Sequence, residues 1–152
     1  MDLSVIILNY KCKGDTLNCL KSLAESMLGG IRFEIIVVDN ASGDSLGDLI
    51  RWQYPDVVFV QNKRNLGMGA GNNAGLRRAR GRYLVIANPD IVIFRDTLRT
   101  LYDYLEANPA VGIAGPRQLN PDGSLQESCF RWPSALTPAW HSTDLESPGS
   151  SS

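Results

Sequence analysis

The polar residues best placed to do chemistry in this sequence stand at the ends of three apolar runs. Asn9 and Tyr10 follow LSVIIL, Asp39 follows FEIIVV, and Asn88-Pro89-Asp90 separates LVIA from IVI. Two carboxylates at one edge of a protein would repel each other unless a cation lay between them. Magnesium or manganese is typically held by one or two carboxylates, with water and substrate phosphates in the remaining positions. The pattern therefore favours a metal-assisted phosphate site.

The same carboxylates also have a purely structural interpretation. Asp39 and Asp90 could cap turns or helices, as strand-end aspartates often do. Pro89 lacks an N–H, so it suits a point where the hydrogen bonds of a strand stop, and it biases Asn88 towards an extended conformation. Both interpretations place the polar interruption at the end of a strand.

A glycine-rich passage, NLGMGAGNNAG at 65–75, offers a second kind of ligand contact. Gly67, Gly69 and Gly71 would let the backbone approach a ligand, and a helix beginning there would offer free N–H groups to an anion. The alternative is a tight turn whose glycines permit close packing. The passage is not a dinucleotide fingerprint, which belongs after the first strand. Lys63, just before it, could reach a phosphate.

The elements that would position these residues alternate between strands and helices. The sequence predicts strands at 3–10, 33–40, 57–61, 83–88 and 111–115, and helices at 15–27, around 45–53, from the glycine-rich passage to about 81, and at 96–107. This alternation implies βαβ units in an α/β fold, and continuous apolar strands imply a parallel sheet covered on both faces. Asp15 and Asp96 are the predicted N-caps of the first and last helices. Residues 120–123, Asn-Pro-Asp-Gly, predict a turn.

Parallel strands all end at one edge of a sheet, and ligands of such sheets bind beyond that edge. We therefore expect the polar strand ends to line one crevice.

Composition excludes several classes of protein. The 152 residues suit one domain, and 43% hydrophobic with 20% charged residues is ordinary for a globular protein. A net charge of −1 gives no field that would attract nucleic acid or a membrane. The cysteines, Cys12, Cys19 and Cys129, have no metal-ligand spacing, so we expect reduced thiols in the cytoplasm.

The C-terminal residues change in composition. We expect residues 1–134 to form the folded domain and 135–152 to be an irregular tail, because HSTDLESPGSSS has little apolar surface to bury. The single histidine, His141, lies in this stretch and is interpreted as a solvated residue.

Four strings carry a family resemblance in their order and spacing: VIILNYK, EIIVVDNAS, NLGMGAGNNAG and YLVIANPD. From about residue 3 to about 134 the chain resembles the donor-binding half of family 2 glycosyltransferases with the GT-A fold, most closely the bacterial rhamnosyltransferase-like branch. The resemblance implies a Rossmann-like sandwich around a mostly parallel sheet, with its C-terminal part truncated. It also implies inverting, metal-assisted transfer of a sugar from a nucleotide-diphosphate donor, such as dTDP-rhamnose or a UDP-sugar. The acceptor would be a glycan or lipid-linked glycan in cell-wall or polysaccharide biosynthesis.

The resemblance assigns roles to individual residues. Leu8, Asn9 and Tyr10 would line the nucleotide pocket, with Tyr10 on the base, and Asp39 would hydrogen-bond the base or ribose. Asp90 would meet the Mg²⁺ or Mn²⁺ that bridges the diphosphate, because Asn88-Pro89-Asp90 stands where the family has Asp-x-Asp. The predicted nucleotide-sugar site comprises Leu8, Asn9, Tyr10, Asp39, Lys63, Gly67, Gly69, Asn72, Asn88 and Asp90, with Asp90 as metal ligand.

The chain departs from the family pattern at two positions and in one segment. Asn88 replaces an aspartate, and Asn72 stands where many members have arginine, which shifts phosphate neutralisation towards the metal, Lys63 or backbone N–H groups. The general base normally follows in a later segment, and only Asp122, Glu127, Asp144 and Glu146 remain there. None lies in a recognisable motif, so the catalytic base is unassigned and we expect a fragment that binds donor but transfers poorly.

Two other functions stay open at this point. A sugar nucleotidyltransferase has a related architecture but would need a glycine-rich, basic loop after the first strand. A non-catalytic nucleotide-sugar-binding module needs only the donor site. Peripheral association with the inner face of the cytoplasmic membrane is also open, because many relatives act there on lipid-linked glycans.

Overall fold

Four apolar runs form one parallel sheet in the computed structural model, which describes residues 1–128. The strands lie side by side in the order β3-β2-β1-β4. Their bounds are β1 Leu3–Asn9, β2 Phe33–Asp39, β3 Val58–Gln61 and β4 Tyr83–Ala87. The helices are α1 Lys13–Ala24, α2 Leu46–Gln53, α3 Gly67–Leu76 and α4 Thr97–Ala107. The predicted parallel α/β sheet is confirmed.

The sheet has an apolar core on each face, because alternate residues of a strand point to opposite sides. Val5 and Ile7 pack in one cluster with Leu20 and Leu23 of α1, Ile50 of α2 and Leu98 of α4. Ile6, Ile36 and Val38 form the other cluster beneath Ala74 of α3. The edge strand β4 is covered less well, since Leu84 is 53% and Ile86 56% exposed.

One predicted strand and one predicted cap are wrong. Residues 111–115 form no strand: Ile113 is 93% exposed, and the Val111 N–H bonds the Asn108 carbonyl in a turn at 2.9 Å. The glycines at both ends of GIAG weaken strand formation, and the described residues supply no pairing neighbour. Helix α1 begins at Lys13, so Asp15 lies inside its first turn and Cys12 takes the N-cap position. An acidic residue there still favours the helix through its dipole.

Two other local predictions are confirmed: the N-cap of α4 and the turn at 120–123. Asp96 is the N-cap residue of α4, although its side chain makes no capping hydrogen bond. The chain divides into two compact units, one at 1–114 and one that begins at Gly115. In the second, the Gly123 N–H bonds the Asn120 carbonyl at 2.9 Å, and Leu119 pairs with Leu125 across the predicted turn. The predicted boundary after residue 134, together with Cys129 and His141, lies outside the described residues.

A buried carboxylate ties β1, β2 and the connection from α3 to β4 at the amino edge of the sheet. Glu34 is 6% exposed and accepts a hydrogen bond from Ser4 Oγ at 2.6 Å. The Arg80 backbone N–H donates to it at 2.7 Å, and the Arg80 guanidinium donates at 2.8 and 3.1 Å. The Gly81 N–H donates to Ser4 Oγ at 2.7 Å, so one network fixes the chain before it enters β4.

Within residues 1–128, no helix combines the length and apolar character that crossing a membrane requires.

Candidate functional site

The polar strand ends share the carboxyl edge of the sheet. Asn9 pairs in register with Asp39, and Asp39 pairs with Gln61, so β1, β2 and β3 end level with one another. Strand β4 ends at Ala87, opposite Ile7. Strands lie roughly 4.8 Å apart, so β2 and β4, which flank β1, are separated by roughly 10 Å. A nucleoside diphosphate can span that distance.

The order of the strands places a topological switch point between β1 and β4. The chain runs from β1 to β2 to β3 in one direction and then returns to place β4 on the other side of β1. Helices α1 and α2 cover one face, whereas α3 covers the other. Ligands of open α/β sheets bind in the crevice that such a reversal opens at the carboxyl ends of the strands. Tyr10 follows β1 and Asn88-Pro89-Asp90 follows β4, so both flank this crevice.

Asn9 is fully buried and holds the neighbouring loops together. Its Nδ2 donates to Asp39 Oδ1 at 2.7 Å and to Ser42 Oγ at 2.9 Å. Its Oδ1 accepts from Thr16 Oγ1 at 3.0 Å and from Cys12 Sγ at 3.3 Å. Because the side chain is 0% exposed, this geometry gives Asn9 a positioning role beneath the crevice. Direct contact between Asn9 and a nucleotide stays a prediction.

Asp39 is nearly enclosed, yet its charged form is favoured. Burial alone would raise the pKa of this carboxyl, but hydrogen bonds from Ser42, Gln61 and Asn9 outweigh burial and lower it below its ordinary value of 3.8. The Ser42 N–H donates to Oδ2 at 3.1 Å and Gln61 Nε2 donates to the same oxygen at 2.7 Å. A carboxylate can accept about four hydrogen bonds. Ser42 contributes through both its side chain and its N–H, so with Gln61 and Asn9 the carboxylate has four donors, and a ligand group would share or displace one of them.

A cleft of about 580 Å³ opens beside Asp39, between the β2–α2 loop, α2 and the end of β3. Asp39, Gln61 and Asn62 connect it to the carboxyl edge of the sheet, and Phe59 supplies an aromatic wall. Tyr10 and Asp90 do not line it. The cleft thus lies on the β2–β3 side of the carboxyl edge, apart from Tyr10 and Asp90.

Asn40 connects the end of β2 to the glycine-rich passage. It is 2% exposed, and its amide bonds Asn62, Asn65, Leu66 and Gly67. The turn 62–67 is thereby held at the carboxyl edge, directly before α3. This contact has no counterpart among the residues predicted from the sequence.

The glycines of the passage divide into two kinds. A Cβ at Gly71 would lie 2.7 Å from Leu8 Cδ1, and one at Gly75 would lie 2.6 Å from Ile6 Cγ2. Gly71 and Gly75 let α3 approach the sheet closely, which is the close-packing role given in the sequence analysis as the alternative to ligand contact. A Cβ at Gly67 or Gly69 would meet no atom within 4 Å. Gly67 has a φ of +79°, a conformation that glycine adopts without strain.

The segment that carries Asp90 is fixed against α1. Cys19 Sγ donates to the Asn88 carbonyl at 3.8 Å, and the Ile93 N–H donates to Ser22 Oγ at 3.1 Å. Burial, with a smaller contribution from the negative charge of Asp90, raises the pKa of the Cys19 thiol to about 11, so it stays protonated. The side chains of Asn88 and Asp90 are themselves exposed at this edge. The bonds that fix this segment use Asn88 and Ile93, so the exposed Asp90 side chain can bind a ligand without breaking any of them.

The remaining predicted residues lie at different depths. Tyr10 is 44% exposed, with Lys11 Nζ 5.4 Å from the centre of its ring, and Lys63 is exposed. Leu8 is half-buried and packs beneath Gly71. Asn72 Oδ1 is buried without a hydrogen-bond partner among residues 1–128, which leaves an acceptor for a donor group.

Backbone strain is concentrated in the two loops beside Asn9 and Asp39. Lys11, Ala41 and Ser45 all have φ between +57° and +64°. Non-glycine residues adopt this region rarely, and they cluster at functional sites where the surrounding structure imposes them. The bond from the Lys11 N–H to Ser42 Oγ, at 2.9 Å, joins the two loops.

The donor set suits a hard divalent cation that also binds its substrate. Among residues 1–128, no three His, Cys, Asp or Glu side chains form a metal cluster. Asp90 offers an exposed carboxylate and Asn88 an exposed amide oxygen on the same turn. Mg²⁺ and Mn²⁺ prefer such oxygen ligands and commonly complete their coordination with phosphates and water. The residues present therefore fit a metal that is recruited together with a diphosphate.

Acid is expected to destabilise the fold through Glu34 and Asp39. Burial alone would raise the pKa of Glu34, but bonds from Ser4 and Arg80 lower it below its ordinary value of 4.5, and that of Asp39 is lowered likewise. A pKa that is lower in the folded chain than in the unfolded chain stabilises the fold above the unfolded value. That stabilisation is lost as pH falls through the folded value.

Urea denaturation followed by circular dichroism should give a nearly constant free energy of unfolding from pH 7 to about 5, and a decline below about pH 4. Glu34→Gln should be less stable at neutral pH and show a shallower decline. A wild-type stability that rises on acidification would contradict this assignment.

The comparisons with known proteins agree with this geometry. The family model "Glycosyl transferase family 2" matches residues 4–134. The low-salt glycan biosynthesis hexosyltransferase Agl10 of Haloferax volcanii is 32% identical over 127 residues, which cover 80% of this chain and 38% of Agl10. The chain thus spans well under half of that relative.

Two solved structures show the same fold. S. aureus TarS in complex with UDP has a TM-score of 0.66 at 25% identity, covering 72% of this chain and 33% of TarS. The mannosyltransferase PcManGT from Pyrobaculum calidifontis, in complex with GDP-Man and Mn²⁺, has a TM-score of 0.66 at 29% identity, covering 72% and 33%. The predicted GT-A fold is confirmed, and the chain belongs to glycosyltransferase family 2.

Proposed function

We propose that this chain binds the nucleotide-diphosphate sugar of a glycosyltransferase in the crevice between β1 and β4. The observation that carries the proposal is the switch point, with Tyr10 on one side and Asp90 on the other. Both follow parallel strands that end at one edge, where open α/β sheets bind their ligands.

The diphosphate is assigned to the end of β4. Asp90 would hold Mg²⁺ or Mn²⁺, with Asn88 beside it, and the bound metal would stabilise negative charge on the departing diphosphate. The bond from Cys19 to the Asn88 carbonyl and the bond from the Ile93 N–H to Ser22 keep this turn against α1. The backbone that carries the Asp90 carboxylate is therefore preorganised. A single carboxylate makes metal binding depend on the diphosphate.

The nucleoside is assigned to the ends of β1 and β2. The exposed ring of Tyr10 can pack on a base. Asp39, held ionised by its hydrogen-bond donors, would accept a hydrogen bond from a base or ribose by sharing or displacing one of them. The cleft beside Asp39 gives this end of the ligand additional space.

The glycine-rich passage is assigned to the part of the donor between these two ends. A Cβ at Gly67 or Gly69 would meet no atom within 4 Å, so the start of α3 has room for a ligand. The Gly67 N–H is already bonded to Asn65 Oδ1 at 2.8 Å, and the N–H groups of residues 68–70 in the first turn of α3 suit an anion. The unpartnered Asn72 Oδ1 suits a hydroxyl of a sugar or ribose, because it requires a donor. Lys63, exposed in the preceding turn, would add a positive charge near the phosphates.

Transfer is proposed to invert the anomeric carbon and to build a cell-wall or other polysaccharide. The motif strings favour a rhamnosyl group or another hexose, carried by dTDP or UDP, and a glycan or lipid-linked glycan as acceptor. Donor binding is the part of this activity that the described residues support.

Isothermal titration of the chain with UDP, dTDP and GDP, each with and without Mn²⁺, tests the proposal. We expect at least one diphosphate to bind, and to bind much more weakly once EDTA removes the metal. Release of free sugar from the matching nucleotide sugar would identify an enzyme, whereas binding without turnover would identify a donor-binding module. No binding of any diphosphate would refute the proposal for this chain.

Replacing Gly69 and Gly71 by alanine should have opposite effects. Gly69→Ala should raise the free energy of unfolding by up to about 1 kcal/mol, because alanine favours a helix, but weaken diphosphate binding by filling the ligand's space. Gly71→Ala should lower the free energy of unfolding by up to about 2 kcal/mol, because its Cβ would overlap the methyls of Leu8 and approach the Asn40 amide, at a cost that exceeds the same gain in helix propensity. Urea melts and titration calorimetry on both variants separate the two effects. Equal stability losses would show that the glycines share one role.

A further inference from the structure

Asn40 stands next to Asp39 but faces a different part of the molecule. Its Nδ2 donates to Asn65 Oδ1 at 2.8 Å and to the Gly67 carbonyl at 3.3 Å. Its Oδ1 accepts from Asn62 Nδ2 at 3.0 Å and from the Leu66 N–H at 3.1 Å. One buried amide thus uses both of its ends on the turn 62–67.

We propose that Asn40 is a positioning residue that holds this turn in the conformation that receives the diphosphate. The inference rests on the proposed function. It assigns Asn40 a role through the turn, and no direct contact with the donor.

The turn needs such an anchor because most of it is exposed and it lies between β3 and α3 without regular structure. Asn65 Oδ1 accepts the Gly67 N–H at 2.8 Å as well as the Asn40 amide, so the two asparagines fix the entry into α3 together. A loop that is ordered before its ligand arrives binds without the entropic cost of ordering. Anchoring by Asn40 therefore favours anion binding at the N–H groups of residues 68–70, which follow the bonded Leu66 and Gly67 N–H groups in the first turn of α3.

Asparagine suits this position because the turn presents both donors and acceptors. Aspartate has the same shape and can still accept from Asn62 and Leu66, but it has no N–H to donate. In Asn40→Asp, the new oxygen would face Asn65 Oδ1 and the Gly67 carbonyl. If Asn65 rotates its amide to relieve that repulsion, the Gly67 N–H loses its acceptor. The turn is disturbed by either route.

The experiment compares wild type, Asn40→Asp and the matched control Asn73→Asp, which places the same charge change on an exposed position of α3. Hydrogen exchange without ligand measures the amides of residues 66–70 against those of β1 and β2. Dissociation constants are measured for UDP with Mn²⁺, or whichever diphosphate binds wild type, and for the corresponding nucleoside.

We expect Asn40→Asp to lower protection of residues 66–70 at least about tenfold while the strands stay protected. Affinity for the diphosphate should fall at least about tenfold, with less than about a threefold change for the nucleoside. Asn73→Asp should behave as wild type. A general loss of stability would instead weaken both ligands and expose the strand amides.

Unchanged diphosphate affinity in Asn40→Asp, or equal losses for nucleoside and diphosphate, would overturn the inference. If wild type binds no diphosphate, the proposed function fails for this chain. Hydrogen exchange then decides the structural half of the inference: retained protection of residues 66–70 in Asn40→Asp overturns it, and selective loss supports it.

Discussion

Asp90→Asn is expected to abolish metal-dependent binding of the diphosphate donor. The substitution keeps the shape of the side chain and removes the one carboxylate that the turn after β4 offers to a cation. Removing one partner of a charge pair in a binding site typically costs about 2–5 kcal/mol, and 1.4 kcal/mol is a factor of about ten. We therefore expect affinity for the diphosphate with Mn²⁺ to fall by about 30-fold or more in titration calorimetry.

The fold should tolerate this change. Asp90 is exposed, and the bonds that hold its turn to α1 use the Asn88 carbonyl and the Ile93 N–H. Asp122→Asn is the control, because its carboxamide can still accept the Ser124 N–H that the carboxylate accepts at 2.9 Å. Wild-type affinity in Asp90→Asn, or an equal loss in Asp122→Asn, would remove Asp90 from the metal site.

Glu34→Ala is expected to be the most destabilising of the substitutions considered, at the edge of the sheet opposite the site. It leaves the Ser4 hydroxyl without its buried acceptor and breaks the bond to the Arg80 guanidinium. The Arg80 backbone N–H loses its shorter bond, to Glu34, and keeps only Ser4 Oγ at 3.1 Å. Hydrogen bonds to charged groups contribute about 1.5–3 kcal/mol each, and unsatisfied buried donors are costly. Because the Arg80 side chain is 69% exposed, the ion pair itself adds little, and we expect a total loss of about 2–4 kcal/mol.

Urea denaturation at pH 7 measures this loss. Asp103→Ala is the matched control, because its ion pair with Arg99 joins two exposed side chains on one helix and should contribute less than about 0.5 kcal/mol. A loss below about 1 kcal/mol in Glu34→Ala would show that the network at the amino edge does not hold β1, β2 and the entry to β4 together.

The fold could be read from the sequence where burial determines the pattern. The continuous runs of β1, β2 and β4 are apolar because neighbouring strands and helices enclose them, and their ends fall within a few residues of the predicted positions. Residues 111–115 show where an apolar run fails to predict a strand. VGIAG has a strand's composition, but a strand also needs a partner to bond, and no local pattern reports whether one is present.

The sequence predicted those candidate site residues that directly follow an apolar strand. Asp39 and Asp90 could be selected as candidates because each carboxylate directly follows an apolar run, and the structure places both after strands that end at the same edge of the sheet. The sequence did not reveal that Asn9 is enclosed or that Asn40 anchors the next turn, since both depend on which side chains the register brings together. Gly69 and Gly71 differ for the same reason: one faces open space and the other faces Leu8.

Gln61 and Asn62 are further candidate site residues that were not predicted from the sequence. Gln61 ends β3 level with Asp39 and bonds its carboxylate, and both residues line the adjoining cleft. The available signal was the same one that identified Asp39, a polar pair directly after an apolar run, at VVFVQN.

Paramagnetic broadening by Mn²⁺ tests the central claim most directly, because it reports where a donor-bound metal lies. The ¹⁵N-labelled chain would be titrated with the tightest-binding diphosphate and trace Mn²⁺, with Mg²⁺ as the diamagnetic reference. We predict that amide signals broaden first at the carboxyl edge, in residues 9–12, 39–42, 66–70 and 88–91. Strongest broadening at the amino edge, around residues 2–4, 32–34 and 80–82, or broadening that follows no edge of the sheet, would contradict it.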